Sequence, residues 1–134
     1  MSVARPYSLP PPYRVVVADP HAAAREAIGM VLFADSSFEL TGSAATMEEA
    51  IRLIRETASD FLVVDPWLFG PAGRPGCQAA KQVNPRLVIV ALLPSGETDY
   101  PRAASAMGAD AMVEKQRVCR DLVTAMLAAL DHRS

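Results

Sequence analysis

The stretch FLVVDP, residues 61–66, places an acid and a proline directly after a short apolar run. Four apolar residues without a polar break are typical of a strand that is buried on both faces of a parallel sheet. Pro66 favours a turn at the end of this strand. Because open parallel sheets bind ligands beside the carboxyl ends of their strands, Asp65 is a candidate functional residue.

Two other charged residues stand at comparable positions in the chain. Asp19 follows the apolar run VVVA at 15–18, and Lys115 follows the short run AMVE at 111–114. The carboxyl ends of parallel strands meet at one edge of a sheet. The sequence therefore predicts that two acids and one lysine come together there.

Short β-branched runs alternate with longer amphipathic segments, which predicts an α/β fold with a five-stranded parallel sheet and helices on both faces. The predicted strands are 14–18, 38–43, 61–64, 87–92 and 111–113, and the predicted helices are 22–34, 47–57, 78–83, 98–107 and 120–131. Thr46, followed by Glu48 and Glu49, is typical of a helix start. Residues 66–76, PWLFGPAGRPG, are predicted to be a loop because of their prolines and glycines.

The length of 134 residues predicts one domain at 13–134, preceded by a proline-rich, disordered leader at 1–12. The net charge of −2 does not favour direct binding to nucleic acid or to an acidic membrane surface. The apolar runs are too short to span a bilayer. Two cysteines are too few for a disulfide framework, so we expect a cytoplasmic location.

Three stretches together resemble the receiver domains of response regulators, in particular those of LuxR/NarL-type regulators. The stretches are VVVADPHAAAR at 15–25, FLVVDPWLFGPAG at 61–73 and GADAMVEKQRVCRDLVTAML at 108–127. They occur in the family's order, and the resemblance as a whole covers about residues 13–131, nearly all of the predicted domain. The resemblance implies the CheY-like, flavodoxin-like (βα)5 fold and a role in two-component signal transduction.

The resemblance also assigns roles to individual residues. Asp65 corresponds to the phosphoacceptor and Lys115 to the lysine that contacts the phosphoryl group. Mg²⁺ would be held by Asp65, by Asp19 and by the backbone carbonyl of Trp67. The expected partners are a histidine kinase and a second copy of the chain, and related regulators control a DNA-binding output. Such a protein signals through protein–protein contacts and is not an enzyme with a diffusible substrate.

The sequence departs from the family pattern at three positions. Pro20 stands where the second acid is expected; in the alternative register, Asp19 is the second acid and Ala18 replaces the first. The hydroxyl residue at the end of the fourth strand corresponds to Ala91 or Leu92. The aromatic residue on the fifth strand corresponds to Met112. These changes predict an atypical receiver with weakened Mg²⁺ binding and weak or uncoupled phosphorylation.

Other interpretations of the same residues stay open at this point. Asp19 can cap the helix that starts near His21, and Lys115 can serve only as a structural ion-pair partner of Asp65. At the level of function, the alternative is a phosphorylation-independent pseudo-receiver that acts as a dimerisation or small-molecule-binding module. A hydrolase with Asp65 as its nucleophile is a third possibility.

Overall fold

The computed structural model describes residues 12–69, 74–94, 105 and 107–133. In this part of the chain, five parallel strands form one sheet in the order β2-β1-β3-β4-β5. The strands are β1 Tyr13–Ala18, β2 Phe38–Ala44, β3 Phe61–Val64, β4 Val88–Leu93 and β5 Ala111–Glu114. The α-helices are α1 Ala22–Phe33, α2 Met47–Thr57, α3 Arg74–Val83 and α4 Val118–Arg133. The predicted parallel α/β architecture is confirmed.

Apolar side chains fill a core layer on each face of the sheet. On one face, Ile28 of α1 and Leu122 of α4 belong to one buried cluster with alternate residues of the central strands. On the other face, Ile54 of α2 and Ala80 of α3 belong to a second cluster. Burial on both sides explains why the strands are nearly pure apolar runs. None of the helices within the described residues is long and apolar enough to cross a membrane.

The predicted strands all agree with the structure to within one residue at each end. Helix α2 has the predicted bounds, and the Thr46 hydroxyl oxygen accepts a hydrogen bond from the Glu49 backbone N–H at 3.2 Å. The leader predicted at 1–12 and the helix predicted at 98–107 lie outside the described residues, except for Pro12, Ser105 and Met107.

The prediction that residues 66–76 are a loop is wrong at both ends. Pro66–Phe69 forms a 3-10 helix, and α3 begins at Arg74. Proline is compatible with the first turn of a helix because the N–H it lacks has no intrahelical partner there. Gly76 is required by packing, since a Cβ at this position would collide with the Phe69 ring. The 3-10 helix is thereby held against α3, beside the end of β3.

Candidate phosphoacceptor site

The register of the sheet places the two acids side by side. Strands β1 and β3 are neighbours, and Ala18 is paired with Val64, so Asp19 and Asp65 leave the sheet at the same level. The Asp65 backbone N–H donates a hydrogen bond to the carbonyl of Ala18 at 3.0 Å. Asp19 is fully buried, and the Asp65 side chain is 16% exposed. Two carboxylates in this position require a positive charge nearby.

Lys115, which follows the edge strand β5, supplies that charge. Its side chain reaches past the end of β4 to the acids. Its ammonium donates a hydrogen bond to Asp65 Oδ2 at 2.8 Å and lies 2.7 Å from Asp19 Oδ2. The second contact is a short ion pair that compensates the charge of the buried Asp19 carboxylate. Lys115 therefore holds both acids.

The pKa shifts of Asp19 and Lys115 favour their charged forms. Burial by itself would raise the pKa of Asp19, but the Lys115 ammonium and the donors of His21 outweigh it and lower the pKa. Burial by itself would also lower the pKa of Lys115, but Asp19 and Asp65 outweigh it and raise the pKa. All three residues were predicted to meet at this edge, and the structure brings them together.

The backbone after Asp65 turns around its carboxylate. Asp65 Oδ1 accepts a hydrogen bond from the Trp67 N–H at 2.9 Å, and the Asp65 carbonyl accepts one from the Leu68 N–H. These bonds start the 3-10 helix and fix the direction of the carboxylate. The Trp67 side chain is 76% exposed. Its backbone lies beside Asp65, and the role of its carbonyl as a metal ligand stays a prediction.

The side chain of His21, which the sequence analysis placed only at the start of a helix, also reaches the site. His21 is the N-cap residue of α1, so Asp19 does not cap that helix. Asp19 Oδ1 accepts a hydrogen bond from the His21 N–H at 2.8 Å and lies 3.1 Å from the imidazole Nδ1. The available signal was the spacing, since a histidine two residues after a strand-end acid can turn back towards it.

Asp19, His21 and Asp65 form a cluster of potential metal ligands, with one ligand atom from each within 4.8 Å of the others. Two carboxylates fit the oxygen preference of Mg²⁺, which keeps several waters and needs few protein ligands. Asp19 Oδ2 is buried in the same place, 2.7 Å from the Lys115 ammonium. The residues present therefore fit a divalent cation.

The end of β4 and the adjoining part of β5 differ chemically from this cluster. Ala91, which pairs with Val64 of β3 and with Met112 of β5, is fully buried, and so is Leu92. Neither side chain carries a hydroxyl. Met112 is 38% exposed on the edge strand. The hydroxyl and aromatic groups expected from the family are absent at these positions.

Asp65 and Lys115 line an open cleft of about 1120 Å³ at the carboxyl edge of the sheet. Its wall combines the end of β1, the start of α2, the 3-10 helix and the end of β4. The residues that define these sides include Pro20, His21, Thr46, Trp67, Pro94 and Lys115. Both Asp65 and Lys115 are therefore accessible from solvent on one side.

No protein-family model matches the chain. Over 110 residues, it is 28% identical to the uncharacterized transcriptional regulatory protein YhcZ of Bacillus subtilis, a match that covers 82% of this chain and 51% of YhcZ. The chain thus spans about half the length of this curated relative. A region shared with a transcriptional regulator is consistent with the family that the sequence resembles.

Solved structures define the class of fold. The receiver domain of the response regulator NarL from Mycobacterium tuberculosis matches with a TM-score of 0.79 and 24% identity, covering 91% of this chain and 98% of that domain. The crystal structure of the CheA3 P1 domain in complex with CheY6 from R. sphaeroides matches with a TM-score of 0.73 and 22% identity, over 88% of this chain and 99% of that one. The chain has the fold of response-regulator receiver domains, as its sequence predicts.

Proposed function

We propose that this chain is a signal-receiver module of a two-component system, in which Asp65 accepts a phosphoryl group from a histidine kinase. The observation that carries the proposal is the meeting of Asp19, Asp65 and Lys115 at the carboxyl edge of a receiver-type sheet. The kinase as partner is supported by the complex of the CheA3 P1 domain with CheY6, whose structure this chain resembles.

In the proposed transfer, an Asp65 carboxylate oxygen attacks the phosphorus of a phosphohistidine. An O–P bond forms, the P–N bond breaks, and the histidine nitrogen leaves with the electron pair. The Trp67 N–H holds Asp65 Oδ1, which orients the carboxylate for attack. Lys115, now hydrogen-bonded to Asp65 Oδ2, is close enough to contact the transferred group, and an ammonium is a compact charge for phosphate.

Asp19 and Asp65 would hold Mg²⁺, with the Trp67 carbonyl as the predicted backbone ligand. A bound divalent cation supplies charge neutralisation at the phosphoryl oxygens. Pro20 offers no side-chain oxygen beside Asp19, so the carboxylates available for the ion are fewer than in the family pattern. We therefore propose that Mg²⁺ binds weakly and that phosphorylation is slow.

Phosphorylation would add about −1.5 to −2 charge at Asp65. A change in charge acts at a distance only if it shifts an element with two alternative states. Ala91 and Leu92 can donate no hydrogen bond to a phosphoryl oxygen, and Met112 is not aromatic. We therefore propose that phosphorylation in this receiver is weakly coupled to its partner surfaces.

A phosphorylation-independent role is the second candidate. It is favoured by the ion pairs of Lys115, which already occupy both acids and close the cluster without a phosphoryl group. In this case, the fold would serve as a module for dimerisation or, through the open cleft, for binding a small molecule. A homodimer is compatible with either role.

The proposed setting is cytoplasmic, where thiols stay reduced. Both cysteines are free, and burial raises the pKa of Cys77 to about 11, so this thiol is protonated and unreactive at neutral pH. We propose that this chain acts through protein contacts, that it has no diffusible substrate, and that any DNA binding belongs to an associated output domain. The likeness to the transcriptional regulatory protein YhcZ supports such an output.

Incubation with acetyl phosphate and MgCl₂, followed by intact-mass measurement, tests the proposal. We expect an adduct with the mass of one phosphoryl group that is absent from Asp65→Asn. Asp121→Asn, which changes an exposed acid on α4, is the matched control and should retain the adduct. An adduct that persists in Asp65→Asn, or no adduct at any cation concentration, would contradict phosphorylation at Asp65.

A further inference from the structure

The outward side of α1 is apolar, unlike that of α2. The exposed residues of α1, apart from Glu26, are Ala22, Ala23, Ala27, Met30 and Phe33. In α2, every exposed residue is charged, namely Glu48, Glu49, Arg52, Arg55 and Glu56. Met30 and Phe33, neighbours on the helix surface, are 74% and 92% exposed and form a ridge, the α1 ridge. Scattered apolar residues are ordinary on a surface, but a contiguous set on one helix marks an interaction site.

A groove between α1 and α4 lies beside this ridge. It has a volume of about 470 Å³, and its walls include Ala27, Val31 and Ala34 on the α1 side and Cys119 and Val123 on the α4 side. These side chains are short, so the groove is recessed, and the methionine of the α1 ridge stands at its edge. A projecting and a recessed apolar surface therefore lie side by side in one patch, the α1–α4 face.

Two charges at the rim of the groove are available to a partner. Asp35 lines the groove, and among the described residues its carboxylate accepts a hydrogen bond from the Ser37 N–H at 2.8 Å but forms no ion pair. Arg120 contacts the adjacent Asp121 at 3.1 Å, and these two side chains are 67% and 43% exposed. An ion pair between exposed neighbours contributes little, so Arg120 can exchange its partner. The α1–α4 face thus carries both an acid and a base.

We propose that the α1–α4 face is a dimer interface between two copies of this chain. A two-fold axis brings the same patch of both copies together, so such a patch must carry both members of every contact. The α1 ridge of each copy fills the groove of the other, and Asp35 of one copy lies beside Arg120 of the other. An unrelated partner would require only the ridge or only the groove, and charge of only one sign.

The size of the α1–α4 face indicates a reversible dimer. Helix α1 has 12 residues and is therefore about 18 Å long, and two adjacent helices are about 20 Å wide. The projected area is on the order of 360 Å², whereas a standard interface buries about 800 Å² of accessible surface on each partner. We therefore expect a dissociation constant in the micromolar range.

The α1–α4 face is separate from the charged cluster. Helices α1 and α4 pack on one side of the sheet, and α2 and α3 pack on the other. Among the described residues, the cleft at Asp65 and the groove share no lining residue. The inference deepens the proposed dimerisation, on which it rests, by naming the face that is used, and it does not depend on phosphorylation of Asp65.

Sedimentation velocity of the intact chain, from low micromolar to nearly millimolar concentration, tests the inference. We expect the mass to rise from that of one chain to that of two. Met30→Glu places a charge on the α1 ridge and should weaken the dimer at least about tenfold. Its fold should be retained, because Met30 is 74% exposed and glutamate favours a helix. Circular dichroism verifies this.

Met112→Glu is the matched control, since it makes the same change at an exposed methionine on the edge strand β5. Its dimerisation should stay within about twofold of the wild type. A chain that is monomeric at every concentration would overturn the inference. A dimer that Met112→Glu abolishes and Met30→Glu preserves would also do so, because it would use the β5 edge.

Reversal of the rim charges tests whether the partner is a second copy. Arg120→Glu should weaken the dimer about fivefold, since each of the two symmetric contacts then joins two acids. Adding Asp35→Lys to Arg120→Glu should restore most of the affinity, because opposite charges meet again. Weakening without restoration would contradict the proposed pairing of the two copies.

Cys119 provides a local measurement of the same interface. It is exposed and lines the groove, whereas Cys77 is buried and its pKa is raised to about 11. The rate of Cys119 alkylation by iodoacetamide should fall at least about threefold between dilute and concentrated wild type, because the dimer covers the groove. In Met30→Glu the rate should not change with concentration. An unchanged rate in a wild type that dimerises would place the interface elsewhere.

Failure of the inference can be distinguished from failure of the proposed phosphorylation. A dimer that persists in Asp65→Asn, when the wild type gains no phosphoryl adduct, supports the α1–α4 face and contradicts phosphorylation. A chain that gains the adduct but stays monomeric supports the receiver function and contradicts the interface.

Discussion

Two neighbouring corners of the same sheet edge differ in how much of the receiver pattern they keep. At the corner of β1 and β3, Asp19 and Asp65 are held by Lys115 at 2.7 and 2.8 Å. At the corner of β4 and β5, Ala91 or Leu92 stands where the family has a hydroxyl, and Met112 stands where it has an aromatic group. In the proposed function, the first corner accepts charge, and the second lacks the polar and aromatic groups that would sense it. Charge acceptance and charge readout are therefore separable in the proposed function.

The largest effect is expected from removing the ammonium at the charged corner. Lys115→Met leaves two carboxylates, one fully buried and one 16% exposed, without their positive partner. Breaking a buried ion pair in this way costs about 3 kcal/mol of the free energy of unfolding. Urea unfolding at neutral pH measures it.

The matched control is Lys81→Met, which breaks the more exposed ion pair with Asp110 at 2.9 Å. Exposed pairs contribute little, so the expected loss is below about 1 kcal/mol. Equal losses for the two variants would show that the charged corner is an ordinary surface ion pair.

A somewhat smaller loss is expected when the missing hydroxyl is introduced at the second corner. Leu92→Thr removes apolar volume from a fully buried position and adds a polar group, which costs about 2 kcal/mol. Leu92→Val separates the loss of volume from the cost of the hydroxyl, and thermal unfolding compares the two. If Leu92→Thr were as stable as Leu92→Val, the introduced hydroxyl would have a hydrogen-bond partner. This corner would then tolerate a polar group, contrary to what its apolar residues indicate.

The residues of these two corners also show what the sequence could predict. The sequence predicted that Asp19, Asp65 and Lys115 lie at one edge of the sheet, because parallel topology brings the carboxyl ends of strands together. The contacts of Lys115 with both acids depend on side-chain reach past β4. His21 was predicted to lie at the start of a helix, which is confirmed, but its side-chain contact with Asp19 was not predicted.

The main error in the fold was the segment 66–76. Its prolines and glycines suggested a loop, but Pro66 and Pro75 occupy first turns, where proline is tolerated, and Gly76 provides close contact with Phe69. Local composition could not reveal this, because the requirement for Gly76 arises from packing between the 3-10 helix and α3.

The stability of the charged corner should depend on pH in a defined direction. The pKa of Asp19 is lowered on folding from its ordinary value of 3.8, so its stabilising contribution is present above this value and is lost as the pH falls through the folded pKa. Asp19→Asn should remove this acid-dependent part. Urea unfolding between neutral pH and about pH 3 compares the two proteins.

The exposed Asp121→Asn serves as the control for this pH dependence, and its stability profile should match that of the wild type. The pKa of Lys115 is raised, so its contribution is present below its ordinary value of 10.5 and is lost as the pH rises through the folded pKa. An unchanged acid limb in Asp19→Asn would mean that Asp19 is not stabilised in its charged form.

The smallest effect is expected from Met112→Tyr. Met112 is 38% exposed on an edge strand, and substitutions at such positions change stability by no more than about 0.5 kcal/mol. Thermal unfolding of Met112→Tyr alone and together with Leu92→Thr tests whether the two positions interact. A coupling free energy above about 0.5 kcal/mol would show that this corner can form a joint element.

The most direct test of separate charge acceptance and readout is amide NMR of the wild type before and after phosphorylation by acetyl phosphate with a divalent cation. We predict changes in amide chemical shift around Asp19, Asp65 and Lys115, and none at Met112 or along α4 up to Leu127. Shifts of comparable size at Met112 and Leu127 would contradict this prediction, since they would show that the apolar corner transmits the phosphorylation.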